Sequence, residues 1–221
     1  MKPTSRETYR IIRAMLRMKR FTQYEISKKE KITFSLVNRT VNWFVQHGYA
    51  AKREGEYEIT APAAIFGLFP LYRSLKPYAV FDVNVKRERA LGLVKKRGAL
   101  CLTSALSYHG DYYRDPAVHA YLDDEKIIEE LKRMPKGYCR IELYREDLNK
   151  DDFEQTKSAK YVSDGGNRQR FPTDLSEGQA EGHGIEKAGK YIVTNKIRTI
   201  IDLFCANKAY AAEGLIKTEW A

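Results

Sequence analysis

Cysteine is scarce in this chain. Cys101, Cys139 and Cys205 are the only three in 221 residues, far apart and each among apolar neighbours. An odd set with no paired spacing argues against a disulfide framework and against a zinc site, and it predicts buried free thiols. Histidine is equally thin. His47, His109, His119 and His183 stand alone, none four residues from another histidine or a cysteine, so no metal centre and no cofactor are expected. Long apolar runs are missing too. The longest, Ala63–Leu71, is interrupted by Gly67 and Pro70 and falls short of the roughly 20 residues a membrane span requires. The opening MKPTSRETYR is polar and carries no apolar signal segment, which predicts a cytoplasmic protein without membrane contact.

Signatures of catalysis are also absent. There is no G-x-x-x-x-G-K-S/T loop to cradle phosphate and no strained elbow around a serine. Ser104, Ser107, His109 and Asp202 supply the residue types of a triad without that context. Asp82 and Lys86 have the acidic-then-lysine spacing of metal-dependent nucleases but lack the second carboxylate. The expectation is a protein that is not an enzyme.

Negative charge is missing from one region in particular. Residues 1–76 hold fifteen Lys and Arg against six Asp and Glu, whereas residues 77–221 hold 24 against 23. Nearly all of the net +10 therefore lies in the first third, the pattern of a polyanion-binding module joined to a near-neutral one.

What is there in that first third is helical. Ser5 to Met18 predicts a helix with Ile11, Ile12, Met15 and Leu16 inward, and with Arg6, Arg10, Arg13, Arg17 and Arg20 as one basic stripe toward phosphate. Thr22 and Glu25 form a capping box for a short helix, Gln23–Glu30, with Tyr24 and Ile26 inward. Lys31–Ala50 reads as a longer helix with Thr33 as its cap and Gly48 at its stop. Val37, Val41, Phe44 and Val45 share its buried face, and Trp43 joins Phe44 in core and flank. Ser35, Asn38, Arg39, Asn42 and Gln46 form the opposite face, whose side-chain types hydrogen-bond base edges. Two strands, Tyr49–Arg53 and Glu56–Thr60, flank Glu54-Gly55 and put Lys52 and Arg53 at a hairpin tip. Together these predict a winged helix-turn-helix over residues 1–61, with Thr33, Ser35, Asn38, Arg39, Asn42 and Gln46 on the DNA and Lys52 and Arg53 on its phosphates.

Residues 62–77 predict a helical connector starting at Pro62, a segment that leaves open a homodimer contact. Residues 78–221 alternate strand and helix signals, which predicts a mixed α/β domain and an α+β chain overall. Lys150–Gly189 is a polar, glycine-rich stretch expected to form a hairpin or loop excursion.

Two stretches of the second domain resemble a known family. GALCLTSALSYHG, Gly98–Gly110, is similar to the serine–alanine–leucine–histidine–glycine segment of AbiEi-type antitoxins. KYIVTNKIRTIIDLF, Lys190–Phe204, is similar to that family's threonine–arginine–threonine–aspartate–leucine segment, standing here as Thr194, Arg198, Thr199, Asp202 and Leu203. Both come in the family's order behind an N-terminal winged helix. The resemblance implies a transcriptional regulator, a repressor of its own operon in a type IV toxin–antitoxin pair, whose partner is a nucleotidyltransferase-like toxin. The long polar insertion departs from the family pattern and leaves open a regulator without a toxin. The same residues, Ser104 and Thr199 among them, carry a structural expectation: Thr194 as a helix cap, Arg198 and Asp202 paired four apart on a helix surface, and His109 as a helix-end histidine hydrogen-bonded to carbonyls. The reading is a sequence-specific regulator of double-stranded DNA; the alternative is an antitoxin or protein-interaction module for which DNA binding is secondary.

Overall fold

The computed structural model describes residues 1–95, 98–110, 115–148, 185–188 and 191–220. Lys96 and Arg97 lie outside that set, as does nearly all of the polar insertion with His183. The chain is mixed α and β and divides into two units, residues 1–75 with 200–221, and residues 76–199.

In the first unit, α1 (Arg6–Met18) buries Ile11, Ile12, Met15 and Leu16 completely, as its spacing predicts. Thr22 and Glu25 make both bonds of the capping box that starts α2 (Gln23–Glu30). Tyr24 is exposed where an inward position was expected, because the turn of α2 that carries it has Ile26 and Gln23 on the buried side. The helix α3 (Phe34–Gln46) seats Val37, Val41 and Phe44 in the core. Thr33 precedes it without a side-chain cap bond. Gly48 closes α3 at φ +73, which lets Gly48 N–H reach Val45 O at 3.0 Å and Tyr49 N–H reach Phe44 O at 2.9 Å. The strands β2 (Ala50–Arg53) and β3 (Glu56–Ile59) pair antiparallel through Glu54 and Gly55, both at positive φ, the two-residue turn that suits a twisted hairpin. A two-residue strand, β1 (Arg20–Phe21), pairs with the other side of β3.

The boundaries differ from the sequence reading at both ends. The connector is a short helix, α4 (Pro62–Phe66), and a 3-10 turn, Phe69–Leu71. It belongs to the first unit together with residues 200–221, which had been assigned to the second domain. The reason is apolar burial. Ile65, Phe66 and Phe69 are fully buried, with Phe66 5.9 Å from Phe204 and 5.6 Å from Trp220, and Phe69 6.2 Å from Tyr9 (ring centroids).

The second unit holds a six-stranded mixed sheet. Its strands are β4 (Ala79–Val83), β5 (Ala99–Leu100), β6 (Val118–Tyr121), β7 (Cys139–Tyr144), β8 (Ile185–Ala188) and β9 (Tyr191–Thr194), in the order β4-β7-β6-β5-β9-β8. The pairs β6/β7 and β5/β9 are parallel and the other three antiparallel. Three helices, α5 (Arg87–Lys95), α6 (Leu102–Leu106) and α7 (Glu125–Arg133), alternate with these strands, in keeping with the mixed strand and helix signals of residues 78–221. Val118, Ala120, Ile141, Leu143 and Val193 make the core; Cys101 and Cys139 of this unit and Cys205 of the first are buried and form no disulfide among the described residues. The division between units falls within α8 (Lys196–Cys205); α9 (Glu213–Trp220) ends the first unit. Among the described residues no helix is long and apolar enough to cross a membrane.

Candidate nucleic-acid interface

The outer face of α3 is set by its inner one. With Val37, Val41 and Phe44 buried, a 3.6-residue period turns Ser35, Arg39, Asn42 and Gln46 outward, and all four are exposed. A groove of about 660 Å³ passes over this face, lined by Lys2, Leu36, Arg39, Asn42, Trp43 and Gln46 among others. Trp43 is half-buried on the flank and stacks on His47, with ring centroids 3.9 Å apart.

Asn38 and Asn42 stand in a different situation from Arg39. Asn42 Nδ2 donates to Asn38 Oδ1 at 2.8 Å, Asn38 Nδ2 donates to Gln23 Oε1 at 3.0 Å, and Gln23 Nε2 donates to Asn42 Oδ1 at 3.4 Å. The three amides close a ring. Gln23 Nε2 also donates to Tyr57 Oη at 2.9 Å, so α2, α3 and β3 are tied together through it. Each amide spends one donor and one acceptor inside the ring, which leaves Arg39 and Gln46 as the face's uncommitted hydrogen-bonding groups of greatest reach, with Ser35 beside them. Sequence reasoning missed Gln23 and Tyr57, which lie 34 residues apart with no periodic signal between them.

The basic stripe on α1 is largely turned to internal use. Arg13 is buried, with its guanidinium 5.8 Å above the Tyr9 ring. Arg10 and Arg17 straddle the buried carboxylate of Glu30, at 3.4 Å and 3.3 Å, and Arg10 also donates to the Glu30 carbonyl. The stripe expected to face phosphate is therefore corrected. The last residue of α2 brings a carboxylate against it, which a reading of α1 alone had no means to find. Arg6, at the start of α1, is exposed. At the hairpin, Lys52 and Arg53 are exposed as predicted; Lys52 Nζ lies 5.8 Å over the Tyr57 ring, and Arg53 and Arg20 approach Glu58 at 3.7 Å and 3.5 Å.

The chain matches no protein-family model, no curated protein and no solved structure.

The motif residues of the second half are gathered by long-range contacts. His109 Nε2 lies 2.8 Å from Thr194 O and 3.2 Å from Thr199 Oγ1, which joins the stretch Gly98–Gly110 to Lys190–Phe204. Thr194 is not the cap of α8. Asn195 is, its Oδ1 accepting from Arg198 N at 2.9 Å, while Thr194 Oγ1 sits 2.8 Å from Thr199 Oγ1. Ser104 Oγ accepts from His119 N at 2.9 Å. The surface pairing expected of Arg198 and Asp202 is also overturned, because both are buried and face different partners. Arg198 meets Glu146 in a fork, at 2.9 Å and 3.0 Å, and donates to Tyr121 Oη at 2.9 Å; Asp202 accepts from Arg73 at 2.7 Å. Ser104, His109 and Asp202 are thus dispersed among separate partners.

A second polar cluster was not anticipated. The fully buried His119 ring lies between Asp115 Oδ2 at 3.0 Å and Glu142 Oε2 at 3.3 Å. Thr103 Oγ1 donates to Asp115 at 2.9 Å, Tyr144 Oη donates to Glu142 at 2.7 Å, and Arg140 Nε to Glu142 at 2.8 Å. The hydrogen bond from His119, with those from Arg140 and Tyr144, holds the Glu142 carboxyl well below its ordinary value, against the upward push of burial. Burial and the Glu142 carboxylate raise the Tyr144 phenol and keep it a neutral donor. A carboxylate held low in the folded state contributes stability that is present above its unfolded value of 4.5 and lost as the pH falls through the lower, folded one. Glu142→Gln should therefore flatten the acid limb of stability below about pH 5. Denaturant midpoints between pH 3 and pH 7 check this, and an acid limb of wild-type steepness in the variant would rule out Glu142 as its source.

Proposed function

We propose that the protein binds double-stranded DNA with sequence preference, as a transcriptional regulator, through the outer face of α3. The observation that carries this is the row Ser35, Arg39, Asn42 and Gln46, exposed on one side of a helix whose other side is core, in the part of the chain that holds nearly all the positive excess. On this reading, residues 1–61 are a winged helix-turn-helix. The helix α3 enters the major groove, Arg39 forks onto a guanine edge, and Lys52, Arg53 and Arg6 hold phosphates. Asn38 and Asn42, tied to Gln23, stiffen the face and read bases less than Arg39 does.

The resemblance to AbiEi-type antitoxins favours a repressor of its own operon that works in the cytoplasm. Its motif residues are mostly buried in mutual contacts, which supports a structural part for Ser104, His109, Thr194, Arg198, Thr199 and Asp202 over direct contact with a nucleotidyltransferase-like toxin.

The test is titration against the DNA upstream of its own gene and a scrambled duplex at two salt concentrations, with Arg39→Ala alongside. The expected result is a preference for the upstream duplex that Arg39→Ala reduces by about 1–3 kcal/mol, the value of one forked base contact. Equal, weak binding to both duplexes with the same steep salt dependence would reduce α3 to one part of a basic surface and overturn the reading.

A further inference from the structure

The face of α3 holds one side chain that belongs with neither its polar row nor its core. Phe34, the first residue of the helix, is 50% exposed, while Val37, Val41 and Phe44 of the same helix are at 0%. Lys31, Thr33 and Ser35 beside it in the chain are polar and exposed, and along the helix it is followed by buried Val37 and half-buried Asn38, so it stands on the flank between the core stripe and the polar row. Phe34 is therefore an exposed apolar surface in the part of the chain with the greatest positive excess, set one helical turn before Asn38. Asn38, one turn along, donates to Gln23 Oε1 at 3.0 Å, which ties that flank of the helix to α2.

A duplex complements the charge of this unit, and its major groove presents only one apolar group to a protein, the C5 methyl of thymine. The remaining base edges are donors and acceptors, which a phenyl ring can only desolvate. In a helix that docks in that groove, the early residues are those that reach base edges.

We propose that Phe34 is a specificity-determining residue that packs on a thymine methyl, so that the preferred site contains a thymine that deoxyuridine cannot replace. The assignment rests on the reading of α3 as the DNA-binding helix. It adds an apolar contact to the polar one made by Arg39, and the two are separable because they touch different groups on the bases.

The experiment starts from the duplex that full-length protein selects from a random-sequence pool. Its thymines are replaced by deoxyuridine, first together and then singly, a change that removes the methyl and leaves every hydrogen-bonding atom of the base. Wild-type protein should bind the fully substituted duplex about four-fold more weakly, the fold-change for losing one buried methyl-sized group, with the loss traced to one or two positions. Phe34→Ala should bind the thymine duplex more weakly by a similar factor and should no longer distinguish thymine from deoxyuridine. Phe34→Leu should keep part of the distinction. Because Phe34 is half exposed and outside the core, both variants should stay fully folded at the assay temperature with only a small drop in melting temperature, which separates a lost contact from lost folding.

Equal wild-type binding of the two duplexes, or a Phe34→Ala protein that still prefers thymine, would overturn the assignment to Phe34 while a preference dependent on Arg39 leaves the reading of α3 standing. Selection that enriches no sequence at all would overturn both.

Discussion

Replacing Arg198 with methionine should destabilise the second unit by about 3–5 kcal/mol, the cost of removing one partner from a buried ion pair. The Arg198 side chain is 1% exposed and Glu146 10% exposed, so neither charge is rehydrated when its partner goes. The contact is a fork, with Nη1 on one carboxylate oxygen and Nη2 on the other, and Nη2 also serves Tyr121. A lysine in its place supplies a single point charge with no fork, so Arg198→Lys should recover little. Pairing Arg198→Met with Glu146→Leu should recover much more, since a matched apolar pair avoids leaving a lone buried charge. Hydrogen exchange at the amides of β6 and β7 reads the unit directly. A loss below about 1 kcal/mol for Arg198→Met would mean that the pair stays hydrated and behaves as a surface contact.

Removing the Asp202 carboxylate should cost the first unit a similar amount, about 3–5 kcal/mol, because it takes the paired anion from the buried Arg73 guanidinium. Asp202 is 0% exposed and Arg73 3%, and their 2.7 Å contact joins positions 129 residues apart. Asp202→Asn keeps the shape and an acceptor but not the charge, and should fall between wild type and Asp202→Ala. Both tryptophans of the chain, Trp43 and Trp220, lie in the first unit, so their fluorescence during denaturant unfolding reports that unit. The midpoint of the Asp202→Ala protein should shift strongly in fluorescence. A shift confined to hydrogen exchange in the second unit would place the role of Asp202 elsewhere.

These two pairs mark the limit of what the sequence discloses. Local chemistry was readable. Thr22 and Glu25 announce their helix, Glu54-Gly55 its hairpin, Gly48 the end of α3, and the 3.6-residue period the buried side of each long helix. Contacts that depend on distant chain were not. Arg198 and Asp202 have the spacing of a helix-surface pair, and only the sheet and the segment 62–75 show that each has a buried partner elsewhere. The same holds for Glu30 beneath the α1 arginines, for Gln23 under Asn38 and Asn42, and for β1, whose two residues pair only because β3 arrives beside them. At the interface the exposed row of α3 was legible because amphipathic period fixes which side faces out. The amide ring within it was not, since nothing local distinguishes an asparagine facing water from one bound to Gln23.

The first unit is discontinuous in the chain, residues 1–75 closing only on residues 200–221. During synthesis, its early helices leave the ribosome long before the helices that cover Phe66 and neutralise Arg73 exist. At about 5–20 residues per second, the intervening segment takes on the order of ten seconds to make. Through that interval the basic segment is available while its fold is incomplete, and the second unit has the first opportunity to finish. A chain released after Thr199 should accordingly show amide protection in β6 and β7 while α1 and α3 remain unprotected.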